Sequence, residues 1–403
     1  MSRSVEEHTG IRIADHRKLR HMTQRALAER AYVSYSSITK VETGDSPASP
    51  ALVAAVARVL KVDPAVLYGQ PYTDQMRQDQ IDGMIRPLAE AVDLYELPPD
   101  EQVRPRPLPD LWADADALVR LARNADLRGV GSRVPGLLGE LNIAMGSAPE
   151  GPDRRRTARA LAFAHDEAHW FARRLGHTEL AAIALERMAR AAEQTQDPMM
   201  LALRLFNRSL THVSRDNPGI AMKLVASAQG LVRQSDDPGS TAALAVAGKL
   251  HLRAAHISAR AKNTDDATGY LNLAQENADR LGRERDPATI YWLSFGPADV
   301  AQYRLETNVE LRHMSAALLA AKDVRFPAGH SSERVARYWM DSSRAYTDLG
   351  QNDAALKAMM KARGSAPQYV RYHPAAREVV GALVRRSKRL PESLSSLARW
   401  VGM

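Results

Sequence analysis

The chain has 403 residues, a net charge of +8 and no cysteine. The length calls for two or more domains, and the basic balance favours a polyanionic partner. Lack of cysteine excludes disulfides, cysteine-ligated zinc and thiol catalysis, and fits a reducing compartment. The N-terminus, MSRSVEEHTG, is polar and no window reaches the ~18 apolar residues of a membrane span, so a cytoplasmic protein without membrane contact is expected. Alanine, leucine and arginine dominate, while aromatic residues make up 5%. That is the composition of an all-α protein.

Residues 1 to 9 read as a disordered lead. A first helix follows from Ile11 to Arg20, with Ile13 and Leu19 inward and Arg12, Arg17, Lys18 and Arg20 along its polar parts. Those cations suit phosphate contact, and a solvated face accounts for them equally well. Gln24 to Arg30 and Ser34 to Thr43 read as two short helices joined by a tight turn. Leu27 and Ala28 point inward from the first, Ile38 and Val41 from the second, Val33 plugs the space between, and Ser34 is placed as an N-cap. Tyr35, Ser36, Ser37, Thr39 and Lys40 then face away from the core, as a helix entering a major groove requires. A buried helical hairpin is the plain alternative, but it has no use for Ser-Tyr-Ser-Ser on its outer side. Pro50 starts a fourth helix, Ala51 to Leu60, and Asp63-Pro64 a short fifth turn ending near Gly69.

Thr23-Gln24, Leu27-Ala28, Val33-Ser34, Ile38, Val41-Glu42 and Gly44 together resemble the phage-repressor type of helix-turn-helix, the XRE family, from about Ile11 to Tyr68. The resemblance implies a DNA-binding domain in which Gln24 holds a phosphate and Tyr35, Ser36 and Lys40 touch bases. The turn position that the family usually gives to Gly is Tyr32 here, where a positive φ costs on the order of 1 kcal/mol. The candidate DNA-contacting set is Arg17, Gln24, Ser34, Tyr35, Ser36, Ser37, Thr39 and Lys40.

The expected domains are a five-helix head over 1–70, a connecting helix and Pro-rich linker over 71–109, and a helical repeat domain over 110–403. Met76 to Leu97 shows an interrupted helical pattern, broken by Gly83 and Pro87, and residues 98 to 109 hold five prolines in twelve. Helices at Asp110 to Asn124 and Val130 to Met145 follow, with Gly129, Gly131 and Gly136 read as turn glycines because no strand precedes them.

Past residue 153 helices pair at intervals of about 40 residues, the signature of an α-solenoid. The pairs are Arg154–Leu175 with Glu179–Thr195, Met199–Val213 with Pro218–Gln234, Ser240–Lys262 with Thr264–Leu281, Pro287–Leu305 with Val309–Lys322, and Ser332–Leu349 with Asn352–Ala362. In the fifth, Ala345-Tyr346, Leu349-Gly350, Ala355-Leu356 and Pro367 resemble a tetratricopeptide repeat. Pro374 to Val384 and Glu392 to Trp400 are expected as a basic capping pair. FGPADVAQYRLETNVEL, from Phe295, and VRYHPAAREVV, from Val370, resemble stretches of actinomycete-type XRE regulators with a tetratricopeptide-like C-terminal region. That resemblance implies a transcriptional regulator near specialised-metabolite or developmental genes.

His165 and His169, four apart on a helix, have the spacing to share an ion, but Asp166 stands where a metalloprotease helix needs Glu and no third ligand is evident. A polar helix face accounts for them better. No nucleophile elbow or convergent carboxylate pair appears, so neither an enzyme nor a cofactor is expected. A concave solenoid face, lined by the first helix of each pair, offers a groove for a peptide or small-molecule ligand. Its candidates are Arg204, Asn207, Arg208, His251, Arg253, His256, Tyr291, Trp292, Tyr303, Tyr338, Trp339 and Tyr346; taken singly, each aromatic is better accounted for by inter-helix packing, and it is their recurrence in consecutive first helices that points to a groove.

The expected function is a sequence-specific regulator of double-stranded DNA, a homodimer whose repeat domain senses a ligand or protein partner. Two rivals share the pattern: a peptide-pheromone receptor, and an interaction scaffold whose helix-turn-helix no longer binds DNA.

Overall fold

The computed structural model describes residues 9–20, 22–46, 48–60, 62, 67, 78–93, 104–214, 217–282, 291–293, 295–322, 324–387 and 391–403. Helices and the turns between them make up the described residues, with no strand among them. The expected N-terminal lead, most of the fifth turn and the first part of the Pro-rich segment lie outside them. The chain divides into two units: one holds Met1–Gly83, Arg174–Gly176 and Tyr369–Met403, the other Met84–Arg173 and His177–Gln368.

The first unit contains α1 (Thr9–Leu19), α2 (Gln24–Ala31), α3 (Tyr35–Thr43) and α4 (Pro50–Leu60). Ile13, Leu27, Ala28, Ile38, Val41, Val53, Val56, Leu60 and Leu67 meet in one apolar core. Such a core is what turns four short helices, each marginal alone, into a stable unit. α5 (Gln78–Asp93) keeps Pro87 within it, so the expected break there is absent, and from Met84 onward it belongs to the second unit.

The second unit continues with α6 (Leu108–Arg123) and α7 (Leu127–Ser147). The end of the Pro-rich segment is tied down, since Arg106 pairs with Asp114 at 2.8 Å and with Glu140 at 2.6 Å. Gly129, Gly131 and Gly136 are helical, against the expectation of turn glycines. A Cβ on Gly131 would meet the Phe171 ring at 2.5 Å, so that glycine permits close packing.

The helix pairs then follow: α8 (Pro152–Arg174) with α9 (Thr178–Gln194), α10 (Pro198–Ser214) with α11 (Pro218–Arg233), and α12 (Thr241–Arg260) with α13 (Thr264–Leu281). α14 (Pro297–Glu310) pairs with α15 (Met314–Ala321), and α16 (Ser332–Asp348) with α17 (Asn352–Ser365). From α10 to α16 each first helix packs on the next, while each second helix packs on its own first helix. The first helix of the fourth pair starts at Pro297 rather than Pro287, and Tyr291 and Trp292 lie in a turn at φ 49° and 55°.

The short α18 (Pro367–Tyr372) precedes α19 (Pro374–Arg386) and α20 (Glu392–Trp400). The last two, expected as a cap of the repeats, group with α1–α4 in the first unit.

Candidate nucleic-acid interface

The turn between α2 and α3 is closed by backbone chemistry. Thr23 Oγ1 accepts from the Ala26 amide at 3.1 Å and starts α2. Tyr32 ends it in the left-handed conformation, φ 55° and ψ 39°. Its amide donates to Glu29 O at 3.2 Å and the Val33 amide to Ala28 O at 3.0 Å. These bonds satisfy the last carbonyls of α2, so a tyrosine performs the turn that glycine performs more cheaply. Its side chain is 96% exposed and contributes no core contact there. Ser34 Oγ then accepts from the Ser37 amide at 3.0 Å and caps α3.

This geometry sorts the candidate residues. Tyr35, Ser36 and Lys40 are exposed on α3, and Arg25 of α2 sets its guanidinium 5.7 Å from the Tyr35 ring centroid. Ser34 and Ser37 are engaged with each other, hydroxyl to hydroxyl at 2.7 Å. The Thr39 hydroxyl donates to Tyr35 O at 3.0 Å. The last three thus serve the helix itself, leaving Tyr35, Ser36, Lys40 and Arg25 as the outward polar group. Arg25 escaped the sequence reading because nothing local marks it; only the fold puts it beside Tyr35.

Arg17 and Gln24 also differ from expectation. Arg17 Nε and Nη2 donate to the two Glu42 carboxylate oxygens, each at 2.7 Å, and Nη1 donates to Met22 O at 2.8 Å. Gln24 Nε2 donates to Glu42 Oε2 at 2.8 Å. Three helices are thereby braced on one carboxylate. Arg17 is buried, so it acts inside the head as a strut rather than as a surface cation.

The basic C-terminal segment packs on α1 within the same unit. Arg385 of α19 pairs with Asp15 of α1, and a Cβ on Gly381 would lie 3.5 Å from the Asp15 carboxylate. Burial raises the Asp15 pKa, against the lowering effect of Arg385. Beside it, burial and then the Arg20 and Arg377 charges hold His16 down to about 4.

In the second unit the groove candidates are largely engaged with one another's neighbours. Arg204 pairs with Glu186 at 3.0 Å, Arg208 approaches the same carboxylate at 3.9 Å, and Asn207 donates to Asp166 at 2.5 Å. His251 bonds Asn277 at 3.0 Å and stacks on Tyr270. His256 and Arg337 share Glu306 at 3.2 and 3.0 Å. Tyr303 and Tyr338 are buried, the latter donating to Ala321 O at 2.7 Å, and Trp339 carries Lys361 over its ring at 4.2 Å. From their turn, Tyr291 donates to Asp197 at 2.6 Å and Trp292 to Asp116 at 2.9 Å. Arg253 lies with its guanidinium 4.4 Å from the Phe206 ring centroid, and its Nε has no hydrogen-bond partner.

His165 and His169 are both buried, not on a polar face as expected. Burial drives His165 down to about 3, and His169 Nδ1 donates to Ala181 O at 2.8 Å. Among the described residues no group of three His, Cys, Asp or Glu is placed to hold a metal, and no helix is long and apolar enough to cross a membrane.

No curated protein matches the chain. Among solved structures it is similar to PlcR of Bacillus thuringiensis, solved in complex with the peptide PapR7 and DNA, at 12% identity over 87% of this chain and 99% of that one. The TM-score is 0.34, so that likeness carries no argument. Residues 13–67 match the helix-turn-helix family, and this segment is a helix-turn-helix domain of the XRE type.

Proposed function

We propose that the chain is a sequence-specific DNA-binding transcriptional regulator. Its N-terminal head reads an operator, and its helical repeats dimerise and sense a ligand or protein partner. The observation that carries the reading is the braced, outward face of α3. Tyr35, Ser36 and Lys40 stand clear of the core, while Arg17, Gln24 and Glu42 lock the helix below them. A helix held at a fixed angle with hydrogen-bonding side chains outward is what major-groove readout needs. Exposed Lys18, Arg25, Arg30 and Lys40 supply cations for phosphate contact.

In a homodimer two such helices would sit about 34 Å apart over an inverted repeat. Phosphate contacts then supply much of the affinity, and binding falls steeply with salt. A genome-wide map of bound DNA, followed by gel shifts of the recovered sequences at several salt concentrations, tests this. Discrete inverted repeats with a negative salt slope are the expected result. No enrichment, and equal binding to unrelated duplexes, would leave only the scaffold reading.

A further inference from the structure

Lys249 and Arg253 sit one turn apart on α12, at 2% and 5% exposure. The Lys249 ammonium has no hydrogen-bond partner, and neither has Arg253 Nε. Buried polar groups are nearly always satisfied, and an unpaired buried charge is among the most destabilising features an interior can hold. Two of the same sign, four residues apart, compound the penalty.

The carboxylates nearby do not relieve it. Asp299 of α14 is taken by Arg334 at 3.3 Å. Glu306 is taken by Arg337 at 3.0 Å and His256 at 3.2 Å, and Asp341 by the same Arg337 at 3.2 Å. Asp299 and Glu306 attract Lys249, and Glu306 attracts Arg253, only across space; neither cation has a carboxylate at ion-pair distance. Burial, with the Arg334 charge adding to it, pushes the Lys249 pKa well below the usual lysine range. Arg253 remains cationic at any physiological pH. Gln302 of α14, also buried, has an amide oxygen without a partner. The surroundings are otherwise aromatic: Arg253 lies 4.4 Å from the Phe206 ring centroid, and Lys249 5.9 Å from that of Tyr303.

We propose that Lys249 and Arg253 form the anion-binding end of a ligand site inside the repeats. The site would take a small molecule with a carboxylate or phosphate head on an apolar body. A bound anion would accept charge-assisted hydrogen bonds from both cations and satisfy the donors that the fold leaves without partners. Phe206 and Tyr303 would flank the apolar part. Duplex DNA is excluded as the anion, because neither cation reaches the surface. The site rests on the reading of the repeats as a sensor and names the chemistry they sense.

Thermal unfolding of the full chain tests it, with phenylacetate, phenyl phosphate, inorganic phosphate and neutral benzyl alcohol as probes at matched ionic strength. In wild type, phenylacetate or phenyl phosphate raises Tm saturably by at least about 3 °C, and benzyl alcohol does not. Whichever of the two acts at lower concentration identifies the head group. Lys249→Met and Lys249→Gln abolish the rise, and Lys249→Met alone leaves the unliganded Tm equal to or above that of wild type, because it removes a buried amine that has no hydrogen-bond partner. Three outcomes overturn the proposal: no probe acts, the variants respond as wild type does, or both variants unfold well below it. A response to inorganic phosphate alone means an adventitious ion only and overturns it as well. Gel shifts on recovered operator DNA run alongside keep the two readings apart: a failed site leaves operator binding intact, and failed operator binding leaves the Tm response to be judged by itself.

Discussion

Arg17 grips Glu42 across the head, Nε to Oε1 and Nη2 to Oε2, both at 2.7 Å, with little of either side chain exposed to water. The two residues are 25 positions apart, on α1 and α3, so their bond sets the angle between the first helix and the one proposed to read DNA. Removing one partner leaves a buried charge alone. Arg17→Ala should therefore lower stability by about 3–5 kcal/mol in urea unfolding. Replacing both at once, Arg17→Met with Glu42→Leu, should recover most of the loss. A single variant as stable as wild type contradicts the strut.

Tyr32 stays in the left-handed region with its ring in water. Tyr32→Gly relieves about 1 kcal/mol of backbone strain, offset in part by the greater freedom of the unfolded chain. A rise in urea midpoint with an unchanged m-value is expected. A loss of stability would mean that the ring makes a contact that stabilises the head.

His16 gives the head an acid limit. Its folded pKa, about 4, lies below the ordinary 6.5, so the unfolded chain binds its proton first. The contribution of neutral His16 is complete above pH 6.5 and is lost as pH falls from 6.5 towards 4, up to roughly 3 kcal/mol in all. His16→Gln should flatten that part of the stability–pH curve relative to wild type. Identical curves for the two proteins contradict the assignment.

Asp15 and Arg385 join α1 to α19 across 370 positions of sequence. Arg385→Ala strips the counter-charge from a partly buried carboxylate and should lower the head's stability by about 1–3 kcal/mol. Asp15→Asn made together with Arg385→Ala should lower it less than Arg385→Ala alone. Strictly additive losses would show that the two side chains act independently.

The helices were largely legible because Gly, Pro and Asn-Pro breaks punctuate an Ala- and Leu-rich chain, and α2, α3 and α13 fall close to where periodicity puts them. The fourth pair differs at its start, since Asp286-Pro287 and Gly296-Pro297 both look like helix openings; the helix that carries Leu305 begins at the second, and the first lies outside the described residues. In the head, exposure of Tyr35, Ser36 and Lys40 followed from alternation with Ile38 and Val41. The inward turn of Arg17 did not, because its partner Glu42 comes from another helix and local pattern treats any arginine on a polar stripe alike. The same blindness hid the burial of Lys249, and of Arg253, expected to line an open groove, both on α12, against which α14 packs. Long-range pairing of this kind leaves no mark on hydrophobic period.

The most direct test of the account is operator binding by the triple variant Tyr35→Ala, Ser36→Ala and Lys40→Ala, measured by gel shift against both the recovered operator and a scrambled duplex. All three side chains are exposed, so the fold should survive, as circular dichroism and unfolding would verify. The account predicts that affinity for the operator drops by at least about tenfold and approaches that for scrambled DNA, with each lost base contact worth roughly 1–3 kcal/mol. A correctly folded variant that still prefers the operator as strongly as wild type would contradict it.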